Sequence, residues 1–509
     1  MLAKTKTASI MGIEAEIVDV EADLSSGLPA FDLVGLPAPS VKEAKERVRS
    51  AIRNSGFEFP LKRITVNLAP AYLRKDGPLF DLPIAIALLG ASGQIPRESL
   101  QNTFLAGELS LNGDLRRVNG VLAIASSLAE KGFSGKFIVP MENATEAALK
   151  NELKVYGLRN LQEVAAFLKG EKSFPQVKSD IKNAFSLPAE TAVDFADVKG
   201  QESAKRALEI AAAGNHNVLL TGPPGSGKTM LAKRLPTIMP PLSLEESLEV
   251  SKIYSVAGLL SPDRPLLMNR PFRQPHHTST VAALIGGGRI PRPGEISLAH
   301  HGVLFMDEFP EYSRESIEAL RQPLENRSVI IARNTLSLKF PAEFILVAAA
   351  NPCPCGFLHD PHHECRCDTR SLQRYRSRLS GPIIDRIDIQ VELPAVTYDK
   401  IEKNSPQESS SEIRQRVEKA RAIQRQRFKK SKHKTNALMN TKQVQRYCQL
   451  SRTARGILRQ AYEKLGLSVR AHERILKVSR TIADLEGKEE IKAEHVAEAI
   501  QYRALDRNC

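Results

Sequence analysis

The chain has 509 residues, a hydrophobic content of 42% and a formal net charge of +14. This length predicts more than one domain, and the hydrophobic content is ample for packed cores. The sequence shows no signal peptide and no apolar run of membrane-spanning length, so we expect a cytoplasmic protein with no membrane partner. The charge favours an anionic partner, nucleic acid first, although a basic housekeeping enzyme would carry the same charge.

The first unit is predicted at residues 1–170 and is expected to be an α/β or α+β domain. Strand-like runs at 17–20 and 64–68 alternate with helix-like runs at 41–54 and 82–89. The chemistry of its side chains alone indicates no catalytic constellation in this unit.

Two segments of the first unit resemble the catalytic domain of Lon proteases, and the resemblance extends over most of it. These segments are 74–78 (RKDGP) and 106–113 (AGELSLNG). In that family a serine follows the DGP step, and a lysine lies in the helix that begins near Gly120. Here Leu79 occupies the serine position and residues 121–123 supply no lysine, so both the nucleophile and its activating amine are missing. The resemblance therefore implies a Lon-type fold that has lost its chemistry.

A linker is predicted at 171–192, where Pro, Lys and Ser occur without a periodic apolar face, and a second unit at 193–395. There an apolar run at 218–220 leads into a glycine-rich loop and a helix-forming run, the context of a phosphate-binding loop. Backbone N–H groups of such a loop surround phosphates. Lys228 should reach the β- and γ-phosphates, and Thr229 should ligate Mg²⁺. The predicted cofactors are ATP and Mg²⁺, and the loop, called the phosphate loop below, consists of Gly222, Pro223, Pro224, Gly225, Ser226, Gly227, Lys228 and Thr229.

Two further apolar strands predict the rest of an ATPase site. The run 303–306 ends in Asp307, placed to hold the Mg²⁺ shell, and Glu308, placed to polarise the attacking water. A plain acidic turn is the alternative interpretation. The second strand ends at Asn351, which matches the sensor-1 asparagine of the AAA+ family, although Asn-Pro is also a frequent turn. The segment 198–201 resembles the AAA+ stretch that lies over adenine.

Two insertions resemble those of the helix-2-insert group of the AAA+ family. That group contains the magnesium-chelatase ATPase subunits and the minichromosome maintenance helicases. A Gly-Pro-rich segment at 286–296 precedes the acidic strand, and a predicted hairpin at 329–338 precedes the sensor strand. The resemblance implies pore loops that contact DNA through Arg289, Arg292 and Arg333. Inert connecting loops are the alternative for each segment.

The segment 379–388 resembles the arginine-finger region of the same family, with Arg386 as the finger. A guanidinium beside the γ-phosphate stabilises the charge that spreads during phosphoryl transfer. In this family the site lies between subunits, so Arg386 would act on the nucleotide of a neighbour. The alternative is a structural ion pair with Asp385 or Asp388.

Residues 396–509 are predicted to form a basic helical lid. Helix formers with apolar spacing occur at 411–430 and 457–465, and a further helix opens at 468–470. Arg470 resembles the sensor-2 arginine of the family. The stretch 421–434 contains seven basic residues and no acid, so both a solvated helix face and a nucleic-acid contact are open interpretations.

A cysteine-rich loop follows Asn351. Four of the six cysteines fall within fifteen residues, which chance would seldom produce. Four thiols so close together could bind Zn²⁺ tetrahedrally, whereas reduced loop cysteines are the alternative. Their C-x-C spacing is less specific for zinc than C-x-x-C spacing. The candidate ligands are Cys353, Cys355, Cys365 and Cys367.

Together, these modules resemble the bacterial ComM/YifB family of magnesium-chelatase-like proteins over nearly the whole chain. The expected fold class is α/β: a P-loop AAA+ core of the helix-2-insert clade, preceded by a Lon-protease-like α/β domain and followed by a helical lid. The resemblance implies a hexameric homo-oligomer that moves single-stranded or branched DNA. It also implies branch migration during recombination and natural transformation.

Two other functions compete with this one. A chelatase-type subunit would insert metal into a porphyrin, but the extra first domain and the absence of a D-x-S-x-S motif, which residues 23–26 miss, weaken that hypothesis. A Lon-like protease is disfavoured by Leu79 and by the missing lysine. Composition and spacing alone indicate only a basic ATPase.

Overall fold

The computed structural model describes residues 1–179, 193–288, 291–333, 336–358, 363–379, 383–395, 407–431 and 433–503. Most of the predicted linker lies outside the described residues. Its first part packs on the first unit, where the Val177 N–H donates to the Val155 carbonyl at 2.9 Å. Within the described ranges, every helix is too short or too polar to cross a lipid bilayer.

The first unit is a seven-stranded mixed sheet covered by helices, in agreement with the predicted α/β class. The strand order is β3-β4-β2-β1-β5-β8-β9. The predicted helix at 41–54 is two helices, separated at Glu43. The elements are β1 Leu2–Met11, β2 Glu14–Ser25, β3 Ala30–Val34, α1 Pro39–Lys42, α2 Ala44–Asn54, β4 Arg63–Ala69, α3 Asp81–Ala91, β5 Thr103–Leu105, β6 Glu108–Leu109, β7 Leu115–Arg116, α4 Val121–Glu130, β8 Lys136–Pro140, α5 Met141–Ala147, β9 Lys154–Leu158 and α6 Leu161–Lys169.

The positions that carry catalysis in the Lon resemblance are part of the packed interior. Leu79 is buried in the hydrophobic core of the first unit, just before α3. Helix α3 is buried along its whole length, as expected for a helix that is apolar on every side. Residues 121–123, at the start of α4, are likewise buried and apolar. These positions therefore contribute to the folding of the domain by apolar burial.

The second unit is built on five parallel strands in the order β11-β14-β17-β10-β18. Its central strands are apolar and buried on both faces because helices cover the sheet on both sides. The elements are α7 Glu202–Gly214, β10 Val218–Thr221, α8 Lys228–Ile238, α9 Leu244–Ala257, β11 Phe272–Arg273, α10 Val281–Ile285, β12 Gly286–Gly287, β13 Arg292–Pro293, α11 Glu295–Leu298, β14 Val303–Met306, α12 Arg314–Ala319, α13 Arg321–Asn326, β15 Ser328–Arg333, β16 Leu336–Pro341, β17 Ile345–Ala350, α14 Thr369–Leu379 and β18 Ile389–Glu392.

The C-terminal part is helical and shares one hydrophobic core with one face of the parallel sheet. Its longest helices start at serine caps, since the hydroxyls of Ser409 and Ser468 accept from backbone N–H groups of the first turn. The elements are α15 Ser410–Arg427, α16 Thr441–Tyr447, α17 Arg452–Leu465, α18 Val469–Leu485 and α19 Ala493–Gln501.

The first unit is docked on the second through α4 and α9. The Gly120 N–H donates to the Ser255 carbonyl at 3.0 Å, and the Ser255 hydroxyl bonds to the Glu146 carboxylate. Leu122 and Leu149 of the first unit form a small apolar cluster with Leu266. The two units thus meet through both apolar and polar contacts.

Candidate active site

Three parallel strands bring the predicted catalytic segments to one edge of the sheet. Strand β17 pairs with β10 from Val218 to Thr221 and with β14 from Val303 to Met306. Because all three run in the same direction, the segments that follow them leave the sheet on the same side. The phosphate loop, Asp307 and Asn351 therefore meet although they are distant in sequence.

The phosphate loop has the backbone geometry that its glycines predict. Gly225 and Gly227 have φ values of 77° and 91°, which side chains rarely adopt. The Lys228 ammonium is buried against the loop and donates to the carbonyls of Gly222 at 2.7 Å and Pro223 at 2.9 Å. Burial lowers the pKa of Lys228, while the nearby Asp307 carboxylate acts in the opposite direction. The loop thus surrounds a lysine ammonium with backbone groups.

Thr229 and Asp307 form the candidate magnesium site. The Thr229 hydroxyl donates to Asp307 Oδ2 at 2.9 Å. Hydroxyl and carboxylate oxygens are suitable ligands for Mg²⁺, and their separation allows one ion to contact both. The donor set therefore fits the metal that the sequence predicts.

Glu308 lies at the edge of this site and remains accessible. Its backbone is left-handed, with a φ value of 49°, and its side chain is 56% exposed. His277 Nδ1 lies 3.2 Å from the Glu308 carboxylate. A carboxylate in this position can accept a proton from a water molecule, and the imidazole can restrain its orientation.

Asn351 contacts both the phosphate loop and a neighbouring helix. Its side-chain oxygen accepts from Lys228 Nζ at 3.2 Å. Its carbonyl accepts from the Tyr375 hydroxyl at 3.1 Å. The predicted sensor residue is therefore in direct contact with the lysine of the loop.

Several polar residues of the site escaped the sequence analysis. Gln201 is buried and bridges the phosphate loop to the segment after β18, since its Nε2 donates to the carbonyls of Ser226 at 3.1 Å and Pro394 at 2.8 Å. The motif 198–201 pointed to this segment, but not to that bond. His277 and Tyr375 belong to no sequence motif. They contact Glu308 and Asn351 from segments that are distant from those residues in the sequence.

The structure does not bring the two predicted arginines to the phosphate loop of the same chain. Arg386 forms an ion pair with Glu325 on α13. Arg470 lies in the first turn of α18 and is exposed. Their proposed phosphate contacts remain predictions.

The four cysteines of the loop point their sulfur atoms at one another. All four sulfurs lie within 4.8 Å of each other. Cys365 Sγ lies 3.7 Å from both Cys353 Sγ and Cys355 Sγ. Tetrahedral zinc with bonds of about 2.3 Å requires sulfur atoms about 3.8 Å apart, so the group fits that ion.

The cysteine loop also touches the phosphate loop. Gly356 has a φ value of 86°, and a Cβ there would lie 2.6 Å from Pro224 Cδ. Only glycine allows this close approach without a shift of the neighbouring ring. The packing of the cysteine loop therefore bears directly on the phosphate loop.

The predicted DNA contacts lie on two short hairpins. Strands β12 and β13 form the first, with Arg292 exposed, while Arg289 lies outside the described residues. Strands β15 and β16 form the second, and Arg333 pairs with Leu336 at its end. A Cβ on Gly286 would lie 3.0 Å from Ile331 Cδ1, so the two hairpins are neighbours.

Part of the basic stretch 421–434 is structural. Arg421 Nη2 donates to the Ala212 carbonyl at 2.8 Å, and Arg427 pairs with Asp484 at 2.6 Å. Lys434 donates to backbone carbonyls within the stretch. The basic residues that are exposed and available to a ligand include Arg425, Lys429 and Lys430.

Comparison with known proteins gives matches along almost the entire chain. The family described as "Magnesium chelatase, subunit ChlI" matches residues 194–401. Families described as "Subunit ChlI of Mg-chelatase" and "Magnesium chelatase, subunit ChlI C-terminal" match residues 20–143 and 407–503.

Individual relatives match at two levels. Competence protein ComM of Haemophilus influenzae is 45% identical, over 99% of this chain and 98% of its own length. Uncharacterized protein YifB of Salmonella typhimurium is 44% identical, with the same coverage of both chains. The magnesium-chelatase 67 kDa subunit of Chlorobaculum parvum is 27% identical, over 31% of this chain and 23% of its own length.

The Glu308→Gln variant should bind ATP normally and hydrolyse it at least about 10²-fold more slowly, because the amide cannot accept a proton from water. Lys228→Ala should instead weaken ATP binding. Fluorescent-nucleotide binding and phosphate release separate the two effects. Glu315→Gln, which removes an exposed charge on the following helix, is the matched control and should be neutral. Near-normal turnover in Glu308→Gln would contradict the assignment.

Proposed function

Because the chain belongs to the ComM/YifB family of magnesium-chelatase-like AAA+ proteins, we propose that it is an ATP-hydrolysing motor that moves DNA. The single observation that supports hydrolysis best is the group of Lys228, Thr229, Asp307 and Asn351 at one sheet edge. In this proposal the protein forms a hexameric ring on single-stranded or branched DNA. It acts in branch migration during recombination and natural transformation.

Each residue of the group has a separate task in the proposed hydrolysis. Lys228 holds the β- and γ-phosphates, and Thr229 and Asp307 hold Mg²⁺, which neutralises phosphate charge. Glu308 orients and deprotonates the attacking water, and Asn351 reports on the γ-phosphate through its contact with Lys228. Arg386 and Arg470 stabilise the charge of the transferred group.

A DNA partner is preferred over the two alternatives for separate reasons. The net charge of +14 suits a polyanion, and one relative that matches over 99% of this chain is named a competence protein. The individual chelatase subunit of Chlorobaculum parvum matches over 31% of this chain at 27% identity, whereas ComM of Haemophilus influenzae matches over 99% of it at 45% identity. Leu79, at the position of the protease nucleophile, is buried in the core and has no reactive group.

The cysteine loop is proposed to hold one zinc ion with a structural role. Four thiolates without a position for water would make a closed tetrahedral site. The loop begins two residues after Asn351 and packs on Pro224. Loss of the metal should therefore disturb the active site as well as local folding.

Metal analysis should give about one zinc ion per chain, because a closed site of four thiolates takes a single ion. Replacing Cys365 with serine should lower both the zinc content and the ATPase rate. Cys448→Ser is the matched control, because Cys448 is buried in the helical lid, away from the four-sulfur group. Metal-free protein with an unchanged ATPase rate would overturn the structural role of the ion.

Arg333→Ala should weaken DNA binding and reduce DNA-stimulated ATPase and strand movement, while basal ATPase stays nearly intact. Contacts to phosphates carry no sequence information, so binding should be independent of sequence and fall steeply with salt. The slope of log affinity against log salt should drop by about one for each DNA phosphate that the variant no longer neutralises.

The matched comparison is a triple variant with glutamine at Arg425, Lys429 and Lys430. It removes three exposed charges of the basic stretch and leaves its structural residues, Arg421 and Arg427, in place. If only the triple variant fails to bind DNA, the hairpins are not the DNA path and the lid binds DNA instead.

A further inference from the structure

The turn Ile384–Arg386, called the finger turn below, is bonded to the start of β10. The Asn217 side chain donates to the Arg386 carbonyl at 3.2 Å. The Asn217 N–H donates to Asp388 Oδ2 at 3.0 Å, and the Asp388 N–H returns a bond to the Asn217 carbonyl at 3.1 Å. Because β10 leads directly into the phosphate loop, the finger turn is joined to the phosphate-binding strand of its own chain.

The same turn is bonded to the lid helix α18. Arg474 Nη1 donates to the Arg386 carbonyl at 3.2 Å and also pairs with the Asp388 carboxylate. His216 Nδ1 lies 3.4 Å from Asp388 Oδ2, and its Nε2 shares a hydrogen bond of 2.8 Å with Thr481 of α18. Helix α18 also carries Arg470, the predicted sensor-2 residue. Asp388 is thus contacted both by Asn217, at the start of β10, and by Arg474 of α18.

The network is buried and charged, which makes its geometry specific. Asp388 is 4% exposed and His216 is fully buried. Burial acts to raise the pKa of Asp388, but Arg474, His216 and the Asn217 N–H together hold that pKa below its ordinary value. A buried carboxylate stays ionised only while charged or hydrogen-bonding groups surround it. Asp388 therefore holds Arg474, His216 and Asn217 in fixed positions relative to one another.

The Arg386 side chain, in contrast, has a pair at the surface. Its guanidinium is 11% exposed and pairs with Glu325, whose side chain is 53% exposed. The backbone of Arg386 is therefore fixed from the interior, while the carboxylate that pairs with its guanidinium is open to solvent.

We propose that Asp388 and Arg474 are positioning residues that set the place of Arg386 according to the nucleotide bound by the same chain. Strand β10 leads into the phosphate loop and contacts the finger turn through Asn217, while α18 contacts the same turn through Arg474, so a shift of the loop on nucleotide binding would reach the turn. A subunit would then present its arginine to the neighbour only when its own site is in the appropriate state. This inference rests on the proposed function, in which Arg386 acts between subunits.

Mixing experiments with pairs of impaired variants test the proposal. Arg474→Ala should lower the ATPase rate about tenfold or more, but less than Arg386→Ala, because the finger remains present but is misplaced. A chain with Arg474→Ala keeps a sound nucleotide site and lacks a working finger, so Glu308→Gln chains should restore activity to it. If the subunits mix randomly, about a quarter of the interfaces in a 1:1 mixture combine one sound site with one sound finger. Mixing Arg474→Ala chains with Arg386→Ala chains should restore no ATPase activity, because neither chain supplies a working finger.

The opposite pattern would overturn the proposal. If Arg474 served only the nucleotide site of its own chain, Arg386→Ala chains would rescue Arg474→Ala and Glu308→Gln chains would not. An unchanged ATPase rate in Arg474→Ala would also overturn it. If Arg474→Ala fails to enter mixed rings, Arg474→Lys and Asp388→Asn replace it, and the same two patterns decide.

Two controls separate this proposal from the proposed function. A mixture of Arg386→Ala and Glu308→Gln must recover activity, and its failure in rings shown to be mixed would reject Arg386 as a shared finger. Arg459→Ala, which removes an exposed arginine of the neighbouring helix α17, should behave like the unmodified chain in every mixture.

Discussion

The parallel register of β10, β14 and β17 is the constraint on which the rest of the candidate site depends. Each strand is short and buried on both faces, so its register is fixed by the core and not by the loops. The loops that follow these strands are consequently held in fixed relative positions. The contact from Thr229 to Asp307 and the contact from Lys228 to Asn351 both follow from that register.

Strand β10 also connects the phosphate loop to the finger turn. In the proposed function, these two segments act on the nucleotides of different subunits. Strand β10 has four residues, which span about 13 Å at ordinary strand geometry. Its carboxyl end carries the phosphate loop, and its amino end binds the finger turn through Asn217. A small change at the loop therefore has a short and well-packed route to Arg386, whose backbone Arg474 of α18 also contacts.

Much of the fold and the centre of the site were predictable from the sequence because their signals are local. The phosphate loop, the acidic strand and the serine caps of the lid helices depend on residues that are neighbours in the chain. Gln201, His277, Glu325 and Arg474 could not be found in this way, because their roles come from contacts between elements far apart in sequence. Arg386 shows the limit most clearly, since the carboxylate that pairs with it belongs to Glu325, which lies 61 positions away in the chain.

The most direct test of the central claim is the ATPase rate of the intact chain with different effectors. Forked and four-way DNA should raise the rate, and the Glu308→Gln variant should show no such response. A porphyrin and an unfolded protein, at concentrations matched to the DNA, should leave the basal rate unchanged. A rate that rises with the porphyrin or with the unfolded protein, and does not change with any DNA, would contradict the account of the chain as a DNA motor.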